Sequence, residues 1–177
     1  MPDFRRVAAL LVVTALLVVT ALLVVTALAG APAAPAAAAP SCLVTDGAAD
    51  SSCTPGALNG DVTQATIRST ICVPGWTATI RPPSSYTTAL KNRQKVDHGE
   101  GDIPNSGLEE DHLVPLELGG APRDTANLWP EPRVAYAPAA RAAEDKDHEE
   151  NTLKKGVCAG EVTLAAARAE ILADWTH

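Results

Sequence analysis

The first forty residues set the terms for the rest of the chain, because they cannot join a globular core. Val7 to Leu28 is an apolar or near-apolar run in which Ala-Leu-Leu-Val-Val-Thr occurs three times in register, at 9–14, 15–20 and 21–26. Arg5 and Arg6 precede it, and an Ala/Pro stretch from Ala31 to Pro40 follows, offering several small-residue cleavage sites. A basic start, an apolar run and small residues make a secretory signal peptide with a low-complexity spacer. The competing reading is an uncleaved anchor, since the run approaches the roughly 20 residues that span a bilayer. A buried core helix is disfavoured: β-branched Val and Thr fill much of the run, and no polar face recurs at helical spacing. The paired arginines are a weak twin-arginine signal, and the proline before Ser41-Cys42 argues against lipid attachment at Cys42.

Export changes the meaning of the cysteines. Cys42, Cys53, Cys72 and Cys158 form an even set, and four thiols in an oxidising compartment allow three pairings. Cys42–Cys53 with Cys72–Cys158 is the favoured one, tying the N-terminal region to the C-terminal helices. Zinc ligation is the alternative, disfavoured because no Cys-x-x-Cys pair occurs.

Residues 41–177 are expected to form one domain with a modest core, since aromatic residues are few. The chain carries a net charge of −7, and removing Asp3, Arg5 and Arg6 leaves −8. That acidity argues against extensive contact with nucleic acid, whose phosphates call for Lys and Arg.

The local pattern predicts an α+β fold, mostly helical around a small hairpin. Ser41 to Gly60 reads as a cystine-tied loop. Val62 to Ile71 reads as a short helix capped by Asp61, or as a strand. Trp76 to Ile80 reads as a strand, and Ser84 is expected to cap a helix over 86–96. Tyr86, Leu90 and Val96 would be its buried face, with Lys91, Arg93 and Lys95 exposed. His98 to Leu108 is glycine-rich and predicted to be a loop with His98 in solvent. Leu113 to Leu116 reads as an edge strand interrupted by Pro115, Gly119-Gly120 as a turn, and Leu128-Trp129 as the start of a second strand. A helix over 139–157 stops near Gly160. Thr163 caps a last helix, with Leu164, Ala167, Ile171 and Trp175 on one face. Trp129 and Trp175 are expected in the core rather than as base-stacking platforms.

One stretch carries a specific chemistry. Glu109-Glu110-Asp111-His112 leads into the apolar run Leu113 to Leu118, then Gly119-Gly120, then Asn127-Leu128-Trp129. This order resembles the ββα-metal finger of HNH-type (His-Me finger) nucleases, spanning about 109–157. The likeness extends loosely to Thr70–Thr77 and to Lys146-Asp147 with Glu150-Asn151, as in exported actinobacterial proteins of HNH type. The resemblance implies a metal-dependent endonuclease acting on DNA before RNA. It implies His112 as general base, Asp111 as metal ligand, and Asn127 as the residue that hydrogen-bonds within the finger and fixes the loop carrying the base. An imidazole titrates near neutrality and can take a proton from water. A carboxylate suits a hard cation, Mg²⁺ first, with Mn²⁺ or Zn²⁺ as alternatives.

The chain departs from the family pattern in the helix, where a His commonly completes the metal site. Asn151 and Asp147 are the leading substitutes, then His148, with Glu150 a minor one. Arg81, Lys91 and Arg93, with Lys95, Arg123 and Arg133, are candidates for a substrate-binding basic patch, or else ordinary solvated charges. Glu109-Glu110 reads as a solvated acidic edge. Two other classes stay open: an exported binding module that keeps the finger as a scaffold, and a different metal hydrolase acting on cell-envelope material. A membrane is a partner only if the N-terminal segment is uncleaved.

Overall fold

A computed structural model describes residues 41–134 and 142–174. The signal-peptide or anchor segment, Tyr136, the first residues of the 139–157 helix and Trp175 lie outside the described residues. The elements are α1 (Trp76–Ile80), α2 (Ser84–Asp97), β1 (Leu108–His112), β2 (Leu128–Pro132), α3 (Ala143–Ala159) and α4 (Leu164–Asp174). Short 3-10 turns at Ile67–Ser69, Asn105–Gly107 and Leu116–Leu118 join them. The fold is α+β, as its sequence predicts. No helix among the described residues is long and apolar enough to cross a membrane.

The last helix follows its pattern most closely. Leu164, Ala167 and Ile171 are all buried. The Thr163 hydroxyl accepts the Ala166 amide at 3.1 Å, which satisfies one of the unpaired N–H groups of a helix start. Between α3 and α4, Gly160 takes a left-handed conformation at φ 83°, the usual helix stop. The α4 stripe packs with Leu153 and Val157 of α3, Val62, Ile67 and Ile71 of the N-terminal segment, and Leu113, Val114 and Trp129 of the hairpin. This core therefore joins the two C-terminal helices to the N-terminal segment and the hairpin, both distant from them in sequence.

The disulfides are Cys42–Cys53 and Cys72–Cys158, the favoured pairing. The second ties the segment before α1 to the end of α3, 86 residues along the chain.

Several elements differ from their sequence reading. Trp76–Ile80 is a helical turn, not a strand. Val73 to Gly75 already turns the chain, with the Trp76 amide on the Val73 carbonyl, and among the described residues no neighbouring strand offers a ladder. Val62 to Ile71 is a series of turns with one 3-10 turn, organised by Thr66 rather than Asp61: the Thr66 hydroxyl accepts the Thr63 amide and donates to the Asp61 carbonyl. Ser84 is the first residue of α2 and makes no side-chain cap. The first strand is Leu108–His112, ahead of the predicted Leu113–Leu116, because Pro115 starts a 3-10 turn.

On α2 the buried face is also rotated. Leu90 is buried and Tyr86 half-buried, but Val96 is 56% exposed. Lys91 is buried instead, its ammonium donating to the carbonyls of Asn105 and Leu108 at 2.8 and 2.7 Å. It pins α2 to the start of β1, and burial lowers its pKa from the usual lysine value. His98, at the C-terminal end of α2, is buried rather than in solvent. Its own carbonyl accepts the Val44 amide.

Two stability predictions follow from this packing. Replacing Cys72 and Cys158 by Ser is expected to cost about 2–5 kcal/mol in urea unfolding, because the open chain regains its loop entropy. Burial lowers the pKa of His98, only partly opposed by Asp97 and Asp50. The folded state therefore binds fewer protons than the unfolded one, so stability falls as pH drops below about 6.5, the unfolded value, and levels off below the folded value. His98→Gln should flatten that part of a stability–pH curve, and an unchanged slope would refute the assignment.

Candidate functional site

Side chains alternate along a strand, so Glu109 and Asp111 share one face of β1 and Glu110 and His112 the other. The hairpin is antiparallel with Glu109 opposite Glu131 and Asp111 opposite Trp129. Cross-strand partners lie on the same face, and Glu131 thus joins the first pair. Carboxylate oxygens of Glu109, Asp111 and Glu131 all lie within 4.8 Å of one another. Glu131 is 1% exposed, and its Oε1 has no hydrogen-bond partner. Glu109 is held to Arg133 at 2.8 Å.

Helix α3 brings an ammonium to this face. Lys146 Nζ donates to Asp111 Oδ2 at 2.6 Å, to the His112 carbonyl at 3.0 Å and to Glu150 Oε1. Its side chain is 1% exposed. Burial opposes its charge, but Asp111, Glu150 and Glu131 outweigh that and raise its pKa above the normal lysine value. Burial in turn raises Glu131 well above the usual carboxylate range, with Asp111 adding to the effect. Glu150 is pushed up to about 8 by burial, against the pull of Lys146.

The outer edge of β1 opens onto a cleft of about 350 Å³. Arg81 and the N-terminal turn of α2 form one side, Glu109 to His112 the floor, and Asp147 and Glu150 the other side. His112 lies here, 3% exposed. Its Nε2 lies 3.1 Å from the Pro122 carbonyl. A carbonyl only accepts, so this bond fixes the proton on Nε2 and leaves Nδ1 of the neutral ring as the proton acceptor. Burial lowers the His112 pKa, partly offset by Asp111, which favours the neutral ring. Glu109 and Glu110 are half-buried rather than a solvated edge. Both Glu110 oxygens are unpartnered, and burial pushes this group up to about 8.

The loop behind His112 is fastened by Asn127, which is completely buried. Its Oδ1 accepts the Val114 amide at 2.8 Å, and its Nδ2 donates to the carbonyls of Val114 and Ala121 at 3.0 and 3.2 Å. The glycine pair is needed for this closure. Gly119 has φ 79°, and a Cβ on Gly120 would overlap the Val114 carbonyl oxygen and crowd the Asn127 amide.

The other sequence candidates are placed unevenly. Arg81 lines the cleft. Lys91 is taken up inside the fold, and Arg93 is exposed away from the cleft lining. Arg123 stacks over the Tyr86 ring. Asp147 lines the cleft, but the three-carboxylate group does not include it. Asn151 lines an adjoining smaller cleft and donates its amide to the Asp147 carbonyl. The α3 residue that meets Asp111 is Lys146, not Asp147 or Asn151. Sequence reasoning missed Lys146, Glu109 and Glu131 as site members. The available signal was the register: a hairpin starting at Asn127 puts Glu131 opposite Glu109.

The donor set fits a divalent cation, since every group is a carboxylate oxygen and one buried oxygen has no partner. Comparison with protein-family models, curated proteins and solved structures finds no match.

Asn127→Ala should leave the Val114 amide and two carbonyls unpaired in the interior, at a cost of about 2–4 kcal/mol. Chemical denaturation measures it, and a loss below about 0.5 kcal/mol would show that the loop stands without this side chain.

Proposed function

We propose that β1, β2 and α3 form an HNH-like ββα-metal finger, and that the protein is an exported, metal-dependent endonuclease. It would hydrolyse phosphodiester bonds, in DNA before RNA. The observation that carries this reading is the setting of His112: a neutral imidazole with its tautomer fixed by Pro122, in a cleft whose lining it shares with Arg81, Glu109 and Asp111.

In this reading His112 takes a proton from water through Nδ1 as the water oxygen adds to phosphorus. The bond from phosphorus to the departing sugar oxygen breaks, that oxygen takes a proton from solvent, and His112 returns its proton to solvent to regain the neutral form. Asn127 keeps the base in place through the Val114 loop. Arg81 and the amides at the start of α2 receive the phosphate, since an N-terminal helix turn presents unpaired N–H groups. A bound divalent cation, Mg²⁺ first with Mn²⁺ or Zn²⁺ as alternatives, supplies charge stabilisation at the phosphate. The two disulfides support an oxidising, extracellular setting.

A second reading is an exported binding module without catalysis. The cleft lining favours it to the extent that Glu109, Glu110, Asp111, Asp147 and Glu150 outnumber Arg81 and Arg133 there.

Plasmid DNA and total RNA should be incubated with the protein in Mg²⁺, in Mn²⁺ and in EDTA. The nuclease reading expects cutting that EDTA stops and that His112→Ala slows by about 10²–10⁴-fold, the usual contribution of a general base. Arg81→Ala should weaken cutting more modestly, mainly through KM. No cutting by the oxidised, folded protein in either metal would transfer the weight to the binding module.

A further inference from the structure

We infer that the face of the hairpin turned towards Lys146 is a seat for one hard divalent cation, ligated by Glu109, Asp111 and Glu131. This goes beyond the nuclease reading, because the seat is a property of the hairpin and would exist in a binding module too.

The argument starts from strand geometry. Glu109 and Asp111 are two residues apart on one strand, and Glu131 is the direct cross-strand partner of Glu109. Like charges directly opposite each other destabilise a hairpin. Here a third carboxylate adds to the conflict, and all three groups offer oxygens within 4.8 Å of one another. Glu131 supplies an independent observation. It is 1% exposed, its Oε1 is buried, and no donor among the described residues reaches that atom. A buried carboxylate oxygen without a donor is costly unless something positive meets it.

The charge count points the same way. Four carboxylates gather here: Glu109, Asp111, Glu131 and Glu150. Among the described residues they face two cations, Lys146 and Arg133. With all four ionised, the form in which carboxylates ligate a metal, two negative charges would be left over, the deficit one divalent ion fills. Lys146 occupies the α3 side of Asp111, so the ion belongs on the strand side, with Glu109 and Glu131. That differs from the ligand set of Asp111, Asp147 and Asn151 expected from the sequence. All three ligands are carboxylates, which selects Mg²⁺, Mn²⁺ or Ca²⁺ over ions that prefer nitrogen or sulfur.

The test is calorimetric titration of Mn²⁺ into the full-length chain in mild detergent, stripped with EDTA and dialysed, with no nucleic acid present. The expected result is one Mn²⁺ per chain and at least a tenfold weaker Kd in Glu131→Gln. Asp147→Asn and Asn151→Ala should stay within about threefold of the parent. The metal-free Glu131→Gln protein should melt no lower than the parent, since an amide of the same size replaces a carboxyl group already crowded by Glu109 and Asp111. If that variant does not fold, Glu109→Gln gives the same readout. No saturable binding, or unchanged affinity in the folded glutamine variant, overturns the seat. A loss confined to Asp147→Asn and Asn151→Ala overturns it in favour of the other ligand set. Because binding is read without substrate, a protein that binds Mn²⁺ at Glu131 and cuts nothing would refute the nuclease and leave the seat standing.

Discussion

One buried ammonium fixes the relation between the long helix and the hairpin. Lys146 comes from the first half of α3 and reaches the end of β1, where it meets the Asp111 carboxylate and the His112 carbonyl, while Glu150 holds it one helical turn further on. Removing a lysine from water carries a desolvation cost of several kcal/mol, which only close and well-directed partners offset. The partners here lie on one strand end and on the helix itself, so the interaction is satisfied in a single docking pose. The position of α3 over the carboxylate face, and with it the shape of the cleft, depends on that pose.

A second constraint works behind the site. Asn127 acts as a side chain that imitates a strand, giving Val114 both the donor and the acceptor its backbone needs. It lets the chain leave β1, make a 3-10 turn and return with the Val114 amide and the Val114 and Ala121 carbonyls paired. His112 thus sits between two fasteners. Lys146 holds its carbonyl, and its ring rests on Pro122, in the loop that Asn127 closes through Ala121.

What could be read from the sequence was whatever is decided locally or by simple counting. The Leu164–Ala167–Ile171 stripe, the Gly160 stop, the Thr163 cap and the glycine turn all express short-range rules. Asp111 and His112 line one cleft and Asn127 fastens the loop behind it through the Gly119-Gly120 turn, and both disulfides follow the favoured pairing. What escaped was burial of charge. Lys91 and His98 read as solvent residues, and the burial of Lys146 and Glu131 was not foreseen, because little adjacent in sequence shows the distant groups around them. The ammonium of Lys91 is met by Asn105 and Leu108, and that of Lys146 by residues some 35 positions away. The Trp76–Ile80 error has the same origin: its Thr and Ile suit a strand, but the fold offers no partner strand at that place.

The Cys72–Cys158 bridge has a topological consequence. Every candidate site residue, from Arg81 to Asn151, lies inside the loop it closes. A single backbone cut between these cysteines would therefore yield no free fragment. The two pieces stay joined through sulfur, and each half of the cleft remains held beside the other. Outside a cell, where proteases are common and disulfides persist, such a molecule could survive as a nicked two-chain form with its cleft still assembled.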